Sequence, residues 1–131
     1  MSRREEIRVP SLAEPVSHYT DAVRAGSLLF VSGVVPVDGD GNLVPGDVVA
    51  QARQVFANIG AVLAAAGAGF QDVVKVTVFL TDVDDRPAVN EVRKDVFGDA
   101  RPASTLVEIS RLVVPGARIE VEAVVQLPHG T

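Results

Sequence analysis

The sequence predicts a single α+β domain, and three observations support this class. Two stripes of apolar residues at three- and four-residue spacing alternate with β-branched runs, which indicates helices between strands. No repeat, low-complexity tract or linker divides the chain, so residues 1–131 are assigned to one domain. The composition, 47% hydrophobic and 22% charged, is that of an ordinary globular domain with a core. The predicted order is strands, helix, strand, helix and two strands.

The first clear strand covers residues 27–37, an apolar and β-branched run typical of a buried strand. It ends in the turn of residues 38–42. That turn superficially resembles a calcium loop, but Leu43 and Val49 occupy the positions that need Gly and Glu. We therefore interpret it as a hairpin loop.

The strongest helix follows this loop. Asp47 is the expected N-cap, and Gly67 is the expected C-terminal stop because it accepts left-handed backbone angles. Between them runs one apolar stripe. Its members are Ala52, Val55, Phe56, Ile59, Val62, Leu63 and Ala66.

The next strand, residues 73–81, is apolar on both faces. Alternation places Val74, Val76, Val78 and Leu80 on one face. Val73 and Phe79 then share the other face with Lys75 and Thr77. We expect one face to meet the helices and the other to meet a partner subunit.

A second helix is expected to start near Asp84 or Asp85, with Pro87 in its first turn and Gly98 at its end. Its buried stripe is Val89, Val92, Val96 and Phe97. Two closing strands, residues 103–112 and 118–127, flank a turn at residues 114–116.

The last strand carries two carboxylates on one face. Glu120 and Glu122 point the same way, and the apolar side chains of Val121, Ala123 and Val125 point the other way. Such a carboxylate is either solvated at a sheet surface or held in a cleft where burial raises its pKa. The residues alone leave both interpretations open.

Charge and composition exclude several classes of function. The net charge of −5 argues against nucleic acid or an anionic membrane as the main partner. The absence of cysteine excludes disulfides, thiolate metal sites and a cysteine nucleophile. His18 and His129 lack neighbours at metal-ligand spacing, so no metal site is expected. Neither a signal peptide nor a membrane-spanning run is recognised, so we expect a cytoplasmic protein.

Several short segments together resemble the RidA (YjgF) family of enamine and imine deaminases. They are His18-Tyr19, residues 31–37, residues 50–54, residues 74–80, Val89-Asn90, residues 101–104 and residues 119–123. The resemblance implies a chorismate-mutase-like α+β fold, with a mixed sheet and two helices on one of its faces. It also implies a homotrimeric barrel whose inter-subunit clefts bind a small molecule, with no cofactor.

The resemblance also implies a set of site residues. A tyrosine, a serine, an asparagine, an arginine and a glutamate of the family site fall on Tyr19, Ser32, Asn90, position 104 and Glu120. Glu120 is the catalytic candidate, and the others are candidates for substrate binding. Alternatively, Tyr19 is a half-buried aromatic, Asn90 caps or decorates a helix, and Ser32 satisfies a backbone group.

Position 104 departs from the family pattern, because Ser104 stands where the deaminating members have a carboxylate-binding arginine. Losing a charge-assisted pair costs about 1.5 to 3 kcal/mol. We therefore expect poor action on imines derived from amino acids, such as 2-aminoacrylate. Arg101 and Arg93 lie nearby in sequence and are candidate anion-binding residues; the alternative is that both are solvated.

The resulting hypothesis is a RidA-type hydrolase that adds water to an enamine or imine C=N bond and releases ammonia. One alternative is a non-catalytic ligand-binding or regulatory trimer. Another is an endoribonuclease or translation inhibitor, which the net charge of −5 and the lack of a histidine pair disfavour.

Overall fold

A computed structural model describes residues 3–128 of the chain. It contains one mixed six-stranded sheet with the order β1-β2-β3-β6-β4-β5. Neighbouring strands are antiparallel except β4 and β5, which are parallel. In chain order the elements are β1 Glu5–Ile7, β2 Ala22–Ala25, β3 Leu28–Val34, α1 Val48–Ala65, β4 Val73–Leu80, α2 Arg86–Phe97, β5 Ala103–Glu108 and β6 Ile119–Gln126.

Helix α1 forms as its sequence predicts. The Asp47 carboxylate accepts a hydrogen bond from the Ala50 N–H at 3.0 Å, which caps the first turn. The helix ends before Gly67, whose φ is +74°. By length and composition this helix also qualifies as a membrane span. Its predicted stripe is nevertheless buried in the core of the domain, except for the partly buried Ala66.

Helix α2 begins and ends close to its predicted limits. Asp85 is the N-cap residue, Pro87 lies in the first turn, and Gly98 ends the helix with a φ of +59°. Phe97 from this helix packs edge-to-face against Phe56 of α1 at 5.8 Å between ring centroids. It packs in the same way against Phe70 at 5.4 Å. These aromatic contacts hold the two helices together above the sheet.

The strands differ from the prediction at the edges of the sheet. Strands β1 and β2 were not predicted, because they are only three and four residues long. Strand β5 stops at Glu108, four residues before its predicted end. The two closing strands do not pair with each other, since β4 lies between β5 and β6 in the sheet.

A bulge at the start of β4 makes one predicted face assignment wrong. The register shifts between Val73 and Lys75, which pair with the adjacent residues Val125 and Val124 of β6. The extra residue reverses the alternation for the start of the strand. Val73 is therefore buried on the same side as Val76, Val78 and Leu80, and Val74, which was predicted to share their face, is exposed.

The sheet face opposite the helices stays open in the single chain, and we call it the open face. It carries Phe30 and Val124, which pair across β3 and β6, and Phe79 and Val107, which pair across β4 and β5. Phe30 is 46% exposed and Val107 is 38% exposed. Apolar side chains on the open face agree with the expectation that β4 would be apolar on both sides.

Gln51 ties helix α1 to the segment that leads into β6. Its side chain is only 3% exposed. The Gln51 amide donates to the Gly116 carbonyl at 3.1 Å and accepts from the Arg118 N–H at 2.7 Å. The Arg118 guanidinium in turn donates to both carboxylate oxygens of Asp85 at 2.8 Å. Because Asp85 is the N-cap residue of α2, the start of β6 is connected to both helices.

We predict that Gln51→Ala destabilises the fold by about 2 to 4 kcal/mol, because two backbone groups lose their buried partner and a cavity forms. Gln54→Ala is the matched control on the same helix. Gln54 only bonds Asn58 one turn away, a contact worth a few tenths of a kcal/mol. Urea unfolding of both variants tests this; equal losses would contradict the role of Gln51.

Candidate functional site

Glu120 lies on the open face, directly over the backbone of β3. Strand β6 alternates strictly, so Ile119 and Val121 are buried in the core and Glu120 emerges on the opposite side. A Cβ atom at Gly33 would lie 2.6 Å from the Glu120 Oε2 atom. Gly33 therefore gives the carboxylate the room to lie against the backbone.

The surroundings of Glu120 raise the pKa of its carboxyl above the usual value. Burial is the main cause, and the nearby Glu122 carboxylate adds repulsion. Glu122 itself is exposed on the same face. The two glutamates thus share a face, as predicted, but only Glu120 is in a partly desolvated position. This agrees with the cleft interpretation for Glu120 and the solvated one for Glu122.

Ser32 holds the segment that carries Tyr19 against the sheet. The Ser32 hydroxyl donates to the Thr20 carbonyl at 2.6 Å, and its N–H donates to the Asp21 carbonyl at 3.0 Å. The Asp21 carboxylate is fixed from the other side by Arg8 at 2.7 Å and by the Val9 N–H at 2.8 Å. Ser32 therefore satisfies a backbone group, which was the structural alternative for this residue.

Two concavities meet at Tyr19 and Ser32. One is a cavity of about 90 Å³ lined mainly by apolar side chains, with Gly33 in its wall. The other is an open groove of about 410 Å³ that includes His18. Tyr19 is 46% exposed between them. Because Gly33 also supports Glu120, we group Tyr19, Ser32, Gly33 and Glu120 as the Glu120 group.

A second group lies at the far edge of the sheet, on β5 and α2. The Arg93 guanidinium reaches from α2 and donates to the Ser104 hydroxyl at 2.9 Å. Asn90 lies one helical turn before Arg93 and is exposed. We call Asn90, Arg93 and Ser104 the Arg93 group. Arg101 is exposed on the loop before β5 and has no contact with this group in the described part of the chain.

The two groups do not form one pocket within a single chain. Val76 of β4 pairs with Ser104, whereas Phe79, three residues later, pairs with Glu120. Two strand spacings and three residues separate Ser104 from Glu120, a distance on the order of 14 Å. The odd offset also places them on opposite faces of the sheet. One chain therefore brings the predicted residues together as two separate sets.

Sequence reasoning missed two residues that shape the Glu120 group. Asp21 was not singled out, because its role depends on a pairing with Arg8 across 13 positions. Gly33 was recognised only as part of a motif, although its missing side chain is what admits Glu120. Within residues 3–128 no cluster of three metal-ligand side chains occurs, and His129 lies outside that range.

Comparison with known proteins identifies the family. The sequence profile described as Endoribonuclease L-PSP matches residues 11–127. The chain belongs to this family, also called RidA or YjgF. A RutC family protein of Pyrococcus horikoshii is 43% identical over 122 residues, which cover 92% of this chain and 96% of that protein. A mouse protein named 2-iminobutanoate/2-iminopropanoate deaminase is 38% identical, covering 92% and 90% of the two chains.

Solved structures of the family have the same fold. The crystal structure of Escherichia coli TdcF with bound serine superimposes with a TM-score of 0.87 at 33% identity, covering 95% of this chain and 99% of that one. The RidA fold predicted from the sequence, a mixed sheet with two helices, is thereby confirmed. The deaminase names among the relatives support imine hydrolysis as the general activity of the family.

We predict that Glu120→Gln stabilises the protein at neutral pH but not in acid. A raised folded-state pKa means that ionising Glu120 costs more in the folded than in the unfolded chain, so the wild type loses stability as pH rises through that pKa. Below the ordinary value of 4.5 both states are neutral and this cost disappears.

Urea unfolding of the wild type and the variant between pH 4 and pH 8 measures the difference. Glu122→Gln should show a smaller effect of the same sign, because it removes the secondary cause of the shift. A stability difference that is constant or shrinks with pH would contradict the burial of Glu120.

Proposed function

We propose that the protein is a hydrolase that adds water to the C=N bond of an imine, or of an enamine through its imine tautomer. Water forms a bond to the carbon, the C–N bond breaks, and ammonia leaves with a carbonyl product. The observation that carries the proposal is the partly desolvated Glu120 carboxylate, whose pKa is raised and which lies against Gly33, the residue that follows Ser32. We expect the reaction to need no cofactor and to occur in the cytoplasm.

Each residue of the Glu120 group has a role in this proposal. Glu120 orients the attacking water and accepts its proton, because a carboxylate with a raised pKa is a stronger base. Ser32 presents lone pairs to the substrate nitrogen, since its own proton is bound to the Thr20 carbonyl. Tyr19, exposed beside Ser32, packs against one side of the substrate.

The complete site is proposed to form between copies of the chain in a homotrimer. Glu120 and Ser104 lie on opposite sheet faces in one chain, so a cleft that uses both needs two protomers. Strand β5 supports this, because it is an edge strand with five of its six residues exposed. The apolar open face supports it as well, since Phe30 and Val107 would be covered.

The substrate depends on the chemistry at position 104. Ser104 by itself supplies no charge, and this residue alone predicts weak action on amino-acid imines such as 2-aminoacrylate. A cation that binds a substrate carboxylate here must therefore come from another element of the fold.

Two other functions are less well supported. Ribonuclease activity, which the family description includes, has little support here because the chain is acidic and His18, the one histidine among residues 3–128, is exposed. A ligand-binding trimer without turnover is the alternative that the activity test separates from the enzyme.

We predict that Glu120→Gln lowers the turnover of imine hydrolysis by about 100-fold to 10,000-fold, the usual contribution of a general base. Glu122→Gln is the matched control on the same strand and face, and it should change turnover little. Ammonia release across a panel of imines and enamines provides the measurement, with assembly and melting temperature checked in parallel. Equal small effects from both variants would contradict the catalytic role of Glu120, and ligand binding without ammonia release would indicate the regulatory trimer.

The assembly itself is a separate prediction. Analytical ultracentrifugation should give a species of three times the 13.8 kDa chain mass, because the open face and the β5 edge are then covered. Placing a lysine at Phe30, in the Phe30→Lys variant, should shift the protein toward monomer, whereas Val113→Lys in an exposed loop should not. A wild-type protein that is monomeric at micromolar concentration would rule out the shared cleft.

A further inference from the structure

Among residues 3–128, Arg93 has no acidic partner. Its guanidinium is partly buried between α2 and β5, and no carboxylate lies within ion-pair distance of it in residues 3–128. Its neighbours Lys94 and Asp95 on the same helix are paired, with Glu91 at 3.0 Å and with Arg53 at 3.1 Å. Burial without a counter-charge lowers the pKa of Arg93, though the group remains fully charged.

The contact with Ser104 leaves most of the hydrogen-bonding capacity of this pair free. Ser104 accepts one N–H from Arg93 at 2.9 Å, so its own proton is available to a further acceptor. Arg93 has five N–H donors in a planar fork, and the hydroxyl takes only one. The pair thus presents several donors and one positive charge at a single point on the β5 edge.

We propose that Arg93, held by Ser104, binds the carboxylate of the substrate and so replaces a cation at position 104. The substrate class is then an imine or enamine of a 2-oxo acid. This inference rests on the proposed hydrolase function, and it reverses the expectation drawn from Ser104 alone. The guanidinium that strand β5 lacks is supplied by helix α2.

The geometry also gives each group of residues a place in the shared cleft. The Arg93 group of one protomer holds the carboxylate, and the Glu120 group of the neighbouring protomer acts on the C=N carbon. Asn90, which is exposed on α2 one turn before Arg93, is assigned to the same half of the cleft and would contact the ligand beside the carboxylate.

Binding of 2-oxobutanoate, a product-like carboxylate, tests the site without relying on catalysis. Arg93→Gln should weaken binding by roughly ten- to a hundredfold, because a charge-assisted contact is lost. Arg93→Lys should restore only part of the affinity, since the fork geometry is lost. Lys94→Gln, which removes the same charge from the next residue on α2, is the matched control and should bind normally.

Rescue and kinetics separate this role from a structural one. In the Arg93→Gln background, Ser104→Arg should restore much of the binding. The ratio of kcat/KM for 2-iminobutanoate to that for an imine without a carboxylate should fall in Arg93→Gln by the same ten- to hundredfold. Most of that change should appear in KM.

Mixed trimers test whether Arg93 and Glu120 serve the same cleft. Glu120→Gln and Arg93→Gln chains are mixed in equal amounts and refolded together. In a random assembly, roughly one quarter of the clefts receive an intact Arg93 from one chain and an intact Glu120 from its neighbour. The mixture should therefore regain roughly a quarter of the wild-type activity at low substrate concentration. No recovery above the separate variants would overturn the assignment of Arg93 to the Glu120 cleft.

Several outcomes would overturn the proposal. They are an unchanged affinity for 2-oxobutanoate in Arg93→Gln, a wild type that does not bind it, and a loss caused by Arg101→Gln instead. If 2-oxobutanoate binding depends on Arg93 but no imine is hydrolysed, the carboxylate site stands and the hydrolase function fails. If imines are hydrolysed without any dependence on Arg93, the hydrolase function stands and the assignment of the carboxylate site to Arg93 fails.

Discussion

Strand β6 is hydrogen-bonded on both sides, to β3 and to β4, and its position in the middle of the sheet governs both faces of the domain. Its buried residues, Ile119, Val121, Ala123 and Val125, pack beneath the helices. Because strand side chains alternate, those same contacts force Glu120 and Glu122 onto the open face. The position of the candidate catalytic carboxylate is thus a by-product of core packing, and Gln51 fixes the start of this strand through Gly116 and Arg118.

The division of the candidate site between two sheet faces follows from the same arrangement. Strand β4 separates β6 from β5, so Ser104 is held at an edge while Glu120 is central. In an isolated chain each half is a set of exposed and partly buried polar groups on its own face of the sheet. Assembly would bring the halves together and would also cover the apolar side chains of the open face, so stability and activity would depend on the same contacts.

The sequence predicted well whatever depends on local signals. The limits of both helices follow from Asp47, Gly67, Pro87 and Gly98, which act within one turn of their own positions. The alternation of β6 was also predicted correctly, because the bulges in its two ladders place the extra residues in β3 and β4 and leave β6 regular. Strands β1 and β2 were not predicted, because three or four residues of mixed polarity are too few to show the alternation of apolar and polar side chains that indicates a strand.

Features that depend on pairing between distant segments could not be predicted. The bulge that moves Val73 into the core exists only in the register between β4 and β6. The contact between Arg93 and Ser104 joins a helix to a strand 11 positions away, and it depends on how the helix lies on the sheet. Sequence position made Arg93 and Arg101 equal candidates, and only the fold distinguishes them.

The direction of the Ser32 hydrogen bond determines which ligand atoms can bind beside it. Its hydroxyl proton is held by the Thr20 carbonyl, so the oxygen can only accept. An imine nitrogen that carries a proton can donate to this oxygen, whereas a ketone oxygen has no proton to donate. In the proposed reaction Ser32 would therefore contribute to binding of the imine and not of the ketone, and the affinity for the 2-oxo acid product would come from the contact with its carboxylate.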